Sequence, residues 1–113
     1  MYAINVKDVK VKQLPGRDVY VLTEHLDTKN LTVGVCEVPP NSTMTPHKHW
    51  QEETIFILQG TGNCVVNGVK SPISPGTLIH FPSDSEHCTT NETDELLRFV
   101  FIFSPTVVVG SYG

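Results

Sequence analysis

The chain has 113 residues, 39% hydrophobic and 18% charged, with 8 Lys and Arg against 12 Asp and Glu for a net charge of −4. That length suits one folding unit, and the composition is too apolar and too weakly charged for a disordered chain. The basic residues never cluster, and the longest apolar run, Phe99 to Phe103, is far short of the ~20 residues a membrane helix needs, so neither nucleic acid nor a membrane is an expected partner.

In chain order, the first dozen residues alternate charged and apolar side chains and hold no apolar signal-peptide segment, so a cytoplasmic location is expected. No stretch repeats apolar residues at helical spacing. Short β-rich runs recur instead at 18–24 (DVYVLTE), 31–38 (LTVGVCEV), 53–58 (ETIFIL), 63–66, 69–71, 77–81 and 96–103. Turn residues separate them: Pro39-Pro40-Asn41, Gly60, Asn67-Gly68, Pro75-Gly76 and Pro82. Asn67-Gly68 is a strong hairpin signal, because both residues tolerate the positive φ of a type I′ turn. Strands at this spacing predict an all-β sandwich or barrel. The tail 107–113 is expected to cover a sheet edge or to pair with a second subunit. Cys36, Cys64 and Cys88 are odd in number and widely spaced, which fits reduced, half-buried thiols rather than disulfides or a zinc pair.

Three of the five histidines carry a pattern. On extended backbone, side chains alternate faces, so His47 and His49 share one face. Glu53 opens the next β run with the parity of Ile55 and Ile57, which turns its carboxylate toward the apolar interior. Such a carboxylate is costly unless a cation or donors meet it. Two imidazoles and a carboxylate on a common inward face make a site for a divalent first-row metal. His87 follows a short turn after Pro82, and in a closed barrel it can reach the same cluster.

These residues resemble the two motifs of the cupin superfamily. His47, His49, Glu53 and Gly60 match the first at full spacing; Pro75-Gly76, Pro82, His87 and Asn91 match the second. The usual Gly shortly before the first His is replaced by Pro39-Pro40-Asn41, which affects a turn and not a ligand. The resemblance implies a double-stranded β-helix, a jelly-roll-like barrel, as a single domain over 1–113 with its motif-bearing core at about 31–105. It implies His47, His49, Glu53 and His87 as ligands of one divalent ion: iron, manganese, nickel, zinc or copper. It also implies a homodimer and a small-molecule ligand. The expected function is a metalloenzyme acting on a small oxygen-rich metabolite by oxidative or Lewis-acid chemistry. The alternatives are a non-catalytic metal-dependent metabolite binder or sensor and a structural module, since fold does not name the reaction.

Outside the ligand set, His80 sits in an apolar strand. It is expected as a half-buried histidine or, functionally, as an acid–base or supporting group at the metal. Trp50 is expected to pack, Gln51 to lie near the mouth, and His25 to be solvated. Phe99, Phe101 and Phe103 form a core or subunit-contact stripe. Arg98 makes a surface ion pair or meets a substrate carboxylate. Cys88 turns away from the metal.

Overall fold

The structure is a computed structural model that describes residues 1–112. After a 3-10 turn at Val6–Asp8, capped by the Asn5 side chain, ten strands follow: β1 (Lys12–Leu14), β2 (Arg17–Val21), β3 (Thr32–Val38), β4 (Ser42–Thr43), β5 (Glu52–Gln59), β6 (Gly62–Val66), β7 (Val69–Ile73), β8 (Leu78–Phe81), β9 (His87–Asn91) and β10 (Leu97–Ser104). They form a six-stranded sheet in the order β1-β2-β3-β10-β5-β8 and a four-stranded sheet in the order β4-β9-β6-β7. Every ladder is antiparallel. This is the expected all-β, jelly-roll-like barrel.

Alternation builds its interior. On β10, Leu97, Phe99, Phe101 and Phe103 point in and are nearly inaccessible, while Ile102 and Ser104 point out. Across β5, Glu53, Ile55 and Ile57 point in, and Phe56 and Leu58 point out. The inward aromatic stripe packs against Val19, Val21, Cys36 and Val38 from β2 and β3 and against Phe81 from β8. Full burial of one such side chain stabilises the fold by roughly 1.5–3 kcal/mol. Gly34 is required opposite this stripe, because a Cβ there would collide with the Phe101 ring and the Tyr20 carbonyl.

Asn67 and Gly68 adopt φ of 47° and 82° and join β6 to β7, as a type I′ turn requires. Asn91, from the second motif, is a fully buried hub. Its amide nitrogen donates toward the carbonyls of Val38, Pro39 and Glu95, and its oxygen accepts from the Thr93 amide and hydroxyl. It ties the Pro39-Pro40 turn to the β9–β10 turn.

Several elements differ from the sequence reading. β1 and β4 are too short to show periodicity. β2 starts one residue earlier, at Arg17. β7 runs through Pro72 because it is the edge of its sheet, where a missing N–H is tolerated. Trp50 does not pack; it is 61% exposed. The three cysteines are free, as expected, but fully rather than half buried. Residues 107–112 form no strand, and Gly110 lies against the Leu14 side chain of the edge strand β1. They fold across the barrel mouth, anchored by reciprocal hydrogen bonds between Thr32 Oγ1 and the Val107 backbone and by Gln51 Nε2 donating to the Thr106 carbonyl. Gly113, at the end of the same tail, lies outside the described residues.

Candidate metal centre

Two backbone features bring the motifs together. His47 and His87 face each other in an antiparallel bridge, with His47 N to His87 O at 3.0 Å and His87 N to His47 O at 2.9 Å. Residues directly opposite in such a bridge send their side chains to the same face. One turn further, Asp84 N donates to His49 O at 2.8 Å, and Ser83 Oγ donates to Trp50 O. These bonds clamp the 82–86 turn onto the segment carrying the first two histidines. Glu53 enters from β5, whose alternation turns it inward.

The result is a buried cluster of His47, His49, Glu53 and His87, with one ligand atom from each lying within 4.8 Å of the others. Metal–nitrogen and metal–oxygen bonds of about 2.0–2.2 Å span at most about 4.4 Å across an ion, so a small contraction closes the set.

The ring hydrogen bonds fix what each imidazole presents. His47 Nδ1 contacts the Thr45 carbonyl at 2.9 Å, His49 Nδ1 the Gln51 carbonyl at 2.8 Å, and His87 Nδ1 the Ser85 carbonyl at 2.9 Å. A carbonyl oxygen only accepts, so each Nδ1 carries the proton, and in the neutral ring each Nε2 offers a lone pair. That lone pair is aimed at Glu53: His87 Nε2 lies 3.1 Å and His49 Nε2 3.4 Å from Glu53 Oε1. Lone pairs facing a carboxylate oxygen repel unless a proton or a cation lies between them. His49 Nε2 is moreover buried without a hydrogen-bond partner. The donor set therefore fits a divalent metal, and the backbone carbonyls orient the rings as supporting groups do around bound metals.

Electrostatics agree. Burial pushes the His47 pKa down to about 4, against the pull of the Thr45 carbonyl bond, with His87 and Arg17 lowering it further. The ring is neutral at pH 7 and ready to donate. Burial alone raises the Glu53 pKa, but the neighbouring His49 and His87 rings lower it and the net direction is down. Glu53 is thus ionised, as a ligand must be.

The walls are apolar and aromatic. Phe81 stacks on His87 with ring centroids 4.2 Å apart, and Phe103 meets His49 edge-on at 5.0 Å. The phenylalanine stripe is therefore core and wall of the site at once. Cys88 does not line the cavity, as expected. Arg98 pairs with Glu37 at 3.2 Å, which is the surface ion pair expected of it.

His80 needs correction. Its side chain is 45% exposed on the outer face of β8, where Nδ1 contacts Thr54 Oγ1 at 3.0 Å and Nε2 lies 3.6 Å from Glu52. Its neighbours Ile79 and Phe81 take the inner face, so strand alternation holds this roughly half-exposed side chain away from the cluster.

Two side chains that the sequence reading passed over line the cavity instead. Arg17 is 5% exposed, and it points inward because it has the parity of Val19 and Val21. Extending the predicted strand by one residue would have found it. Tyr112, in the tail, packs on His47 and His49 with centroid distances of 5.1 and 4.7 Å. Burial pushes its pKa up to about 12. No local pattern marks it, since its placement depends on the tail folding back. Tyr112 lines this cavity together with Arg17, His47, Glu53 and His87.

The cupin-domain family model (Cupin_2) matches residues 34–103. The chain belongs to the cupin family. A curated relative, dimethylsulfoniopropionate lyase DddW from Ruegeria pomeroyi, is 32% identical over 76 residues, covering 67% of this cupin and 49% of DddW. The chain thus spans about half the length of that relative. Among solved structures, the polyketide cyclase RemF from Streptomyces resistomycificus superposes with a TM-score of 0.81 at 23% identity, over 99% of this chain and 89% of RemF. A predicted oxalate decarboxylase from Thermotoga maritima superposes with a TM-score of 0.82 at 21% identity, over 93% of this chain and all of that one. At these identities both attest the fold.

Proposed function

We propose that this cupin is a metal-dependent enzyme acting on a small oxygen-rich molecule at a divalent ion held by His47, His49, Glu53 and His87. The observation that carries the reading is the set of three Nδ1–carbonyl bonds, which leave three Nε2 lone pairs in one buried cluster, two of them facing the Glu53 carboxylate. A bound divalent ion would polarise a carbonyl or carboxylate oxygen of the ligand, or lower the pKa of a bound water. The chain's own residues hold the rings in one tautomer, exclude water with Phe81 and Phe103, and strengthen electrostatic effects in a dry site. The relationship to DddW supports lyase-type chemistry on a small metabolite.

A second reading, a metal-dependent metabolite binder, is favoured by His80, which stands outside the site and so supplies no acid–base group there. Metal analysis of protein purified without chelator, with activity assays on dimethylsulfoniopropionate and other small oxygen-rich metabolites with and without oxygen, tests both. Stoichiometric metal with turnover supports the enzyme. Metal with binding but no turnover supports the binder. No metal, and none taken up on adding iron, manganese, nickel, zinc or copper, removes both.

We further propose one domain over the chain, a homodimer and a cytoplasmic location. The dimer reading is supported by Phe56, Leu58, Leu78 and Ile102, which are exposed together on the outer face of neighbouring strands β10, β5 and β8. Light scattering on wild type and Phe56→Glu tests it, with a shift from dimer to monomer expected. For the location, three free thiols fit a reducing compartment, and no helix among the described residues is long and apolar enough to cross a membrane.

A further inference from the structure

Arg17 presents a buried charge that no carboxylate among the described residues pairs directly. It is buried on the inner face of β2 and lines the same cavity as His47, Glu53 and His87. Apolar Val19, Met44, Phe99 and Val109 line that cavity too. Among the described residues no carboxylate lies within ion-pair distance of it. One guanidinium nitrogen donates to the Pro15 carbonyl at 3.1 Å, and the guanidinium lies beside the Tyr112 phenol. A guanidinium has five N–H donors in a planar fork, so much of its capacity remains for a ligand. A buried cation without an anion is strongly unfavourable. Without an ion the Glu53 carboxylate and Arg17 offset one another in net charge, whereas a bound divalent ion brings the same apolar cavity to two positive charges.

Resting on the metal reading above, we propose that Arg17 is the anion anchor of this site and that the ligand is a small carboxylate, held by Arg17 in the metal-bearing cavity. The neutral Tyr112 phenol occupies the anchor in the ligand-free form. A carboxylate that takes Arg17 therefore competes with Tyr112, which packs on His47 and His49 in the same cavity. The strap that moves is short: Thr32 and Gln51 fix the tail at Val107 and Thr106, and Val109 and Tyr112 are the side chains that reach the cavity.

The test titrates propionate and its uncharged isostere propionamide into wild type, Arg17→Met and Arg17→Lys, each metal-loaded and chelator-treated. Metal per chain and thermal midpoint are read on the same samples. Wild type should prefer propionate by about tenfold or more, the scale of a charge-assisted hydrogen-bonded pair. Arg17→Met should lose that preference and keep wild-type metal content, and Arg17→Lys should retain part of it. The midpoint of Arg17→Met should be equal or higher, since a buried charge without an acid partner is removed; a structural role would lower it. Propionate should also raise hydrogen exchange at 108–112. Overturning results are a wild type that does not distinguish propionate from propionamide, or an Arg17→Met protein that still does. The two readings fail separately. Metal uptake with preference retained in Arg17→Met sinks the anchor alone. Preference lost in Arg17→Met, with no metal in any sample, sinks the metal alone.

Discussion

The two faces of the β10-β5-β8 surface are built from the same strands and have opposite chemistry. Glu53 and Thr54 are consecutive, and so are His80 and Phe81; β5 and β8 pair Glu53 with Phe81 and Thr54 with His80. On the inner side the carboxylate lies against two imidazoles in an aromatic enclosure. On the outer side an imidazole meets a hydroxyl and a carboxylate in water. A histidine's identity therefore says little about its role here. One residue of strand parity decides whether it is desolvated and aimed at a cation or left in solvent, where a side-chain pair contributes little.

That contrast can be broken most sharply by metal content. His49→Ala should lose most bound metal by elemental analysis, whereas His80→Ala should keep the wild-type amount. Equal loss from both would mean that the inner cluster is not the site. Stability follows the same division. Phe101→Ala on the inner face should cost about 3–5 kcal/mol in denaturant unfolding. Phe56→Ala on the outer face, measured on monomeric protein, should cost less than about 1 kcal/mol.

A pH series sharpens the picture of the metal-free protein. His47 titrates near 4 when folded and near 6.5 when unfolded. Between those values the unfolded chain binds more protons, so folded stability rises with pH across that window and is lost on acidification. The lowered Glu53 pKa acts in the same direction, its contribution being lost as pH falls through the folded value. Denaturant midpoints at pH 7 and pH 5 should therefore fall toward acid, and His47→Phe should flatten the slope. A midpoint that rises toward pH 5 would contradict the neutral-ring assignment. The smallest effect belongs to the outer face again: Thr54→Val, which removes the His80 contact, should change stability by less than about 0.5 kcal/mol.

Much of this was legible in the residues. Period-two alternation gave the inward parity of Glu53 with Ile55 and Ile57 and of Phe99 with Phe101 and Phe103, and motif spacing grouped His47, His49, Glu53 and His87. What escaped depends on chain geometry that local pattern does not encode. Alternation within β8 permits either face, and His80 takes the outer one because Phe81 fills the core. Arg17 was lost by placing a strand start one residue late. Tyr112 reaches the site only because the tail crosses the mouth, held by Thr32 and Gln51 from distant parts of the chain. Trp50 is bulky enough to suggest burial, yet it lies outside because His49 and Gln51 on either side of it point in.

The most direct measurement is anomalous diffraction from crystals of manganese-loaded protein. One peak is predicted, within about 2.0–2.3 Å of the Nε2 atoms of His47, His49 and His87 and of a Glu53 oxygen. A crystal showing manganese only elsewhere, or these four side chains in place with no manganese among them at saturating metal, would contradict the account.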